Sequence, residues 1–144
     1  MMKRFTSTIL AVLAVLQLGA AEIAWQTDLP KAQARAREEK KLVMLNFTGS
    51  DWCIYCKELQ KNVFSKQAFI EYASTNLVAV EVDFPQIKPL DEAQKQANDA
   101  LAKKYNIEGY PTLIFLNGDG KKVGELGYES TPKALISKIE KLKK

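Results

Sequence analysis

Three near-continuous apolar runs, at residues 42–47, 77–82 and 112–116, constrain this chain more than any other feature. Strands that are apolar at both odd and even positions are buried on both faces, which requires a sheet covered above and below by helices. Helical patterns duly fill the gaps. Residues 30–40 form one. Cys56, Leu59, Val63 and Phe64 follow i, i+3, i+7, i+8 spacing on a second, with a break near Ser65 and a resumption through Phe69, Ile70, Tyr72 and Ala73. Leu90, Ala93, Ala97, Leu101 and Tyr105 mark one face of a third, after a loop punctuated by Pro85 and Pro89. A last helix carries Leu135, Ile139 and Leu142, with Ser130 or Thr131 as its cap and Pro132 as its first residue. Asn117-Gly118-Asp119-Gly120 is a tight-turn signal that folds Lys122-Val123 back antiparallel. With a short extended stretch near residues 23–25, the expected order is β-α-β-α-β-α-β-β-α. That is an α/β architecture in which strands separated by helices pair in parallel and the final hairpin adds an antiparallel edge.

The chain has 144 residues, 47% hydrophobic and 26% charged, with 7 Gly and 5 Pro. This is globular composition with no room for low-complexity segments. The formal charge of +4 divides among 21 basic and 17 acidic residues, and Lys3 and Arg4 contribute part of it. Interspersed charge of that size argues against nucleic-acid and membrane-surface partners.

Lys3 and Arg4 precede the apolar stretch 9–16, and Gly19-Ala20-Ala21 follows. A basic segment, an apolar segment too short to span a bilayer and a small-residue cleavage site form a secretory signal. Residues 1–21 are therefore expected to be cleaved, leaving 22–144 as a single exported domain, in the periplasm or secreted, where disulfides can form.

Cys53 and Cys56 are the only cysteines, placed where the first buried run gives way to a helix. A sulfur in the first helical turn lies against unpaired backbone N–H groups, which stabilise a thiolate. Spacing of three residues lets the second thiol reach the first. Two other uses stay open. A metal or iron–sulfur site needs about four ligands, and with two Cys and no His only a dimer sharing both pairs could supply them. A structural bridge over so short a loop removes little unfolded-chain entropy.

Trp52-Cys53-x-x-Cys56-Lys57 after an apolar strand, joined to Tyr105-Asn106-Ile107-Glu108-Gly109-Tyr110-Pro111-Thr112 downstream, resembles the thioredoxin-like superfamily over nearly the whole of residues 22–144. Residues 43–53, Lys57-Glu58-Leu59 and Val63-Phe64-Ser65 are most similar to small exported thioredoxin-like proteins and to the periplasmic C-terminal domain of the thiol:disulfide interchange protein DsbD. The resemblance implies a thioredoxin fold with a mixed four- to five-stranded sheet, an exposed Cys53 and a covered Cys56. It implies no cofactor beyond the redox-active Cys53–Cys56 disulfide, and no metal. Cys53 would attack a substrate disulfide and Cys56 would resolve the mixed disulfide. Pro111, cis in the family, would lie beside Cys53 and leave the Tyr110 backbone free to pair with an extended substrate. Trp52, Ile54, Tyr55, Tyr110 and Gly127 would complete the substrate groove. Exported proteins bearing disulfides are the implied substrates, with a membrane or periplasmic thiol electron donor and a monomeric chain.

Two positions depart from the family. Ile54-Tyr55 stands where its best-known members have Gly-Pro, and Asn46 aligns with a buried carboxylate that relays a proton to the second cysteine in many relatives. An amide cannot titrate, so either water or another group, such as Lys57 or Glu58, serves Cys56, or that step is slow. Ile54 and Tyr55 place no cation between the cysteines, which points toward reduction or isomerisation rather than strong oxidation. The alternative is a non-catalytic peptide-binding or holdase module stapled by a structural disulfide.

Overall fold

The computed structural model describes residues 21–144, so the expected signal segment, apart from Ala21, lies outside the described residues. The elements run α1 (Leu29–Glu39), β1 (Leu42–Thr48), α2 (Ile54–Leu59), a π-helical turn (Gln60–Phe64), α3 (Gln67–Asn76), β2 (Leu77–Asp83), α4 (Glu92–Lys104), β3 (Thr112–Leu116), β4 (Lys122–Leu126) and α5 (Pro132–Leu142). The four strands form one sheet in the order β2-β1-β3-β4. The stretch near residue 25 is not a fifth strand. It adds one parallel bridge, Gln26 to Val80, through Gln26 N–H on Ala79 O at 2.9 Å and Glu81 N–H on Gln26 O at 2.8 Å.

β1 and β2 pair in parallel, Leu42 with Leu77 through Thr48 with Asp83. β3 departs from the expected parallel pairing. It runs antiparallel to β1, Phe47 opposite Thr112 and Val43 opposite Leu116. The reason is where the crossover ends. β2 leaves the sheet at Asp83, beside Thr48, and the loop and α4 return the chain to that same end, where Thr112 starts beside Phe47.

Local chemistry explains the element boundaries. Asp28 caps α1 through Lys31 N–H at 3.0 Å, Asp91 caps α4 through Gln94 N–H at 3.0 Å, and Thr131 caps α5 ahead of Pro132 through Ala134 N–H at 3.2 Å. At the hairpin, Asn117 Oδ1 accepts from Asp119 N and Lys121 N, both at 3.0 Å, and Gly120 takes φ +81°, a conformation that glycine adopts without a side-chain clash. After Leu59 the helix does not continue as regular α-helix. Ser65 N–H reaches Gln60 O at 2.9 Å, an i to i+5 bond, and the chain breaks near Ser65 before α3.

Alternation along the strands builds two cores. Val43, Leu45, Phe47, Val78, Val80, Val82, Ile114 and Leu116 pack under α1 and α4, where Ala32 and Ala36 allow close approach. Met44, Leu77, Ala79, Leu113 and Phe115 pack under α2, the π turn, α3 and α5, with Leu59, Val63, Phe69, Leu135 and Ile139. On this second face the strands turn polar toward the end that carries the cysteines, through Asn46, Thr48, Glu81 and Asp83.

Candidate active site

Strand β1 ends at Thr48, and the next residues make a tight turn: Trp52 N–H and Cys53 N–H both bond to Gly49 O, at 3.2 and 2.8 Å. The turn leaves Cys53 as the N-cap of α2, where its sulfur accepts from Cys56 N–H at 3.2 Å. The two cysteines are disulfide-bonded, with Cα atoms 5.2 Å apart. Gly49 N–H points at Cys56 Sγ from 3.5 Å. Backbone N–H groups thus address both sulfurs, the arrangement that stabilises sulfur carrying negative charge.

Tyr110–Pro111 is a cis peptide bond, and Tyr110 O lies 3.7 Å from Cys53 Sγ. Cys53 is 7% exposed and Cys56 5%, which corrects the expectation of an exposed first cysteine. In the disulfide, Cys53 sulfur is held between the first turn of α2 and the Tyr110 carbonyl. Exposure falls on its neighbours: Ile54 is 73% exposed and Tyr55 61%.

Trp52 is held on its edge. Its Nε1–H donates to Phe84 O at 2.8 Å, its ring meets Tyr110 edge-on at 5.7 Å, and it lies over Gly49, where an added Cβ would collide with the indole. Phe84 also packs against Tyr110, ring centres 5.4 Å apart. Tyr55 leans on Tyr128, ring centres 5.3 Å apart. Burial, and more weakly Asp99, raises the Tyr110 hydroxyl above its ordinary pKa, so Tyr110 carries no phenolate charge near neutral pH. Gly127 follows Leu126, which pairs with Leu113, and a Cβ on it would meet nothing within 4 Å. Packing within the chain therefore does not demand glycine there.

The structure thus gathers Trp52, Cys53, Ile54, Tyr55, Cys56, Tyr110 and Pro111 at one end of the sheet. Sequence reasoning missed the part played by Tyr128, by Phe84 and by the loop that follows Phe84. Asp51 ties that loop down by accepting from Gln86, Ile87 and Lys88 N–H groups at 3.0, 2.8 and 2.8 Å. These bonds, led by the one from Gln86, hold its carboxyl below the usual range. Ile87, 81% exposed, is presented as a result. The signal was an acidic residue beside Trp52 and an isoleucine between two prolines.

Asn46 is buried, and its Oδ1 has no hydrogen-bond partner. Glu58, a candidate substitute for the missing carboxylate, instead accepts from Asn62 Nδ2 at 2.8 Å. Lys57, the other candidate, is exposed. Among the described residues no group of three or more His, Cys, Asp or Glu could hold a metal ion, and no helix is long and apolar enough to cross a membrane.

Comparison with known proteins places this geometry. Residues 29–143 match the family model described as a thioredoxin-like domain. The chain is 34% identical over 124 residues to the disulfide bond reductase DsbH of Chlamydia pneumoniae, covering 85% of this chain and 74% of that protein. It is 33% identical over 109 residues to the thiol:disulfide interchange protein DsbD of Vibrio cholerae, covering 76% of this chain but only 17% of DsbD. Among solved structures, a DsbH oxidoreductase superposes with a TM-score of 0.80 at 30% identity, covering 99% of this chain and 94% of the other.

Proposed function

Because the chain belongs to the thioredoxin-like family and is a thiol:disulfide oxidoreductase, we propose that it reduces or isomerises disulfides in exported proteins, with Cys53 as nucleophile and Cys56 as resolving thiol. The carrying observation is the Cys53–Cys56 disulfide at the N-cap of α2, beside Tyr110–Pro111 and among exposed apolar side chains. Cys53 thiolate attacks one sulfur of the substrate disulfide, and the other leaves as a thiol. Cys56 thiolate then attacks Cys53, forming the intramolecular disulfide and releasing the second substrate thiol. Two electrons pass to the substrate, and a thiol donor outside this chain restores the Cys53–Cys56 dithiol.

Trp52, Ile54, Tyr55, Tyr110, Pro111 and Gly127 form the substrate groove in this reading. The aromatic rim supplies contact area at low entropic cost, and the open space at Gly127 admits an extended segment. Ile54 and Tyr55 put no charge between the cysteines, which favours the reducing direction, as does the similarity to a protein named a disulfide bond reductase. Residues 1–21 act as the export signal, and 22–144 work as one monomeric domain in the periplasm or outside the cell.

The test is reduction of insulin by dithiothreitol with residues 22–144, beside the Cys53→Ser variant, together with the reduction potential of the pair. Turnover that requires Cys53, with a potential near about −270 mV, supports a reductase. A potential near about −120 mV would make it an oxidant, and no turnover at all would leave a binding module.

A further inference from the structure

Behind the disulfide, on the β1–β2 side, a pocket of about 350 Å³ is lined by Asn46, Thr48, Ser50, Cys56, Lys57 and Glu81 among others. It is roomy and polar enough to hold water in contact with Cys56. Two of its groups lack partners. Asn46 Oδ1 is buried with no hydrogen bond. Glu81 stands directly across the parallel ladder from Asn46, half-buried, and its carboxyl has no hydrogen bond or ion pair among the described residues.

The neighbouring carboxylate on the same face is fully used. Asp83 accepts from Ser50 N–H at 3.0 Å, Ser50 Oγ–H at 2.5 Å and Lys88 Nζ at 3.0 Å. Ser50 and Asp83 therefore hold the turn before the cysteines, and Glu81 is the spare acid. Burial, then the charge of Asp83, raises its proton affinity, and Lys88 partly offsets both. The other charged groups around the pocket, Lys57 from α2 and Lys61 from the π turn, are exposed to solvent. The chain has no histidine to compete for the role.

We propose that Glu81 is the positioning residue that exchanges a proton with Cys56, through water held in this pocket against the Asn46 side-chain oxygen. The inference rests on the disulfide-exchange reading above. During resolution the Cys56 thiol gives its proton through water to the Glu81 carboxylate. Its sulfur then forms the bond to Cys53 as the bond from Cys53 to substrate breaks, and the departing thiolate takes a proton from solvent. When a donor thiol reduces the disulfide, the proton returns from Glu81 to Cys56. The titratable group has in effect moved one strand over, from the β1 position occupied by Asn46 to its ladder partner on β2.

The experiment uses residues 22–144 carrying Glu81→Gln, with glutathione disulfide as probe. Two rates are followed across pH: attack of Cys53 on the probe, and release of the second glutathione by Cys56. Glu81→Gln is expected to slow the release about tenfold or more and to remove the carboxyl inflection from its pH profile, with attack by Cys53 changed less than about twofold. Adding Asn46→Asp to Glu81→Gln is expected to restore release, because it returns a carboxyl to the opposite member of the same strand pair. Release at the unaltered rate with an unchanged pH profile would overturn the proposal. So would a loss that Asn46→Asp does not restore and that slows attack equally, since that pattern is structural damage. Should Glu81→Gln fail to fold, the unaltered chain decides, because a release profile without a carboxyl inflection also overturns it. If Cys53 does not attack the probe in the unaltered chain, the exchange reading itself falls, an outcome distinct from attack without Glu81-dependent release.

Discussion

The two faces of the central sheet are cut from the same strands and differ at every second residue. Under α1 and α4, Val43, Leu45, Phe47, Val78, Val80 and Val82 remain apolar to the end that carries the cysteines. Under α2, the same strands begin apolar with Met44, Leu77 and Ala79 and finish with Asn46, Thr48, Glu81 and Asp83. One face keeps its apolar strand residues up to that end, whereas the other opens into a pocket that reaches Cys56. The lesson is a division of labour: one parity of the strands supplies cohesion, and the other gives up part of its burial to place polar groups behind the disulfide.

Breaking the apolar face should produce the largest effect. Phe47 is fully buried and meets Tyr105 edge-on at 6.3 Å. Phe47→Ala is expected to cost about 3–5 kcal/mol in urea unfolding, while alkylation of Cys53 in the folded reduced protein keeps its rate. A changed alkylation rate would mean that the two faces are not separable. On the polar face the effect should be far smaller. Asn46→Leu removes a buried amide oxygen together with the pocket water proposed to bind it and is expected to change stability by less than about 1 kcal/mol on the same assay.

Glu81 sharpens the contrast through pH. Its folded-state pKa is raised, first by burial and then by Asp83, so the native state binds the proton more tightly than the unfolded chain does. Stability from this group is full below the unfolded glutamate value near about 4.3 and is lost as pH rises through the folded value. Glu81→Gln should therefore raise the melting temperature at pH 7 and leave it unchanged near about pH 4, a difference read by thermal unfolding at the two pH values. An advantage at pH 4 as large as at pH 7 would show that packing, not charge, is responsible.

Much of this was legible in residue order. The buried strands, the cap at Thr131, the hairpin at Asn117-Gly118-Asp119-Gly120 and the position of Cys53 follow from periodicity and short-range chemistry. The antiparallel course of β3 did not, because pairing direction depends on which end of the sheet α4 returns to. The π turn after Leu59 escaped because Val63 and Phe64 fit an apolar helix face in either geometry. Phe84, Tyr128 and Glu81 join the site only through tertiary contact. Glu81 was visible as the one charged residue in an otherwise apolar run, yet its meaning appears only when the β1–β2 register sets it across from Asn46.

Trapping of the mixed disulfide tests the central claim most directly. Reduced Cys56→Ser and Cys53→Ser variants of residues 22–144 would each be mixed with a disulfide-bearing unfolded protein, and the covalent adducts separated without reductant. Stable adducts through Cys53 in Cys56→Ser, with at most a trace in Cys53→Ser, are the predicted result. Equal adducts from both variants, or none from either, would contradict the assignment of Cys53 as nucleophile and Cys56 as resolving thiol.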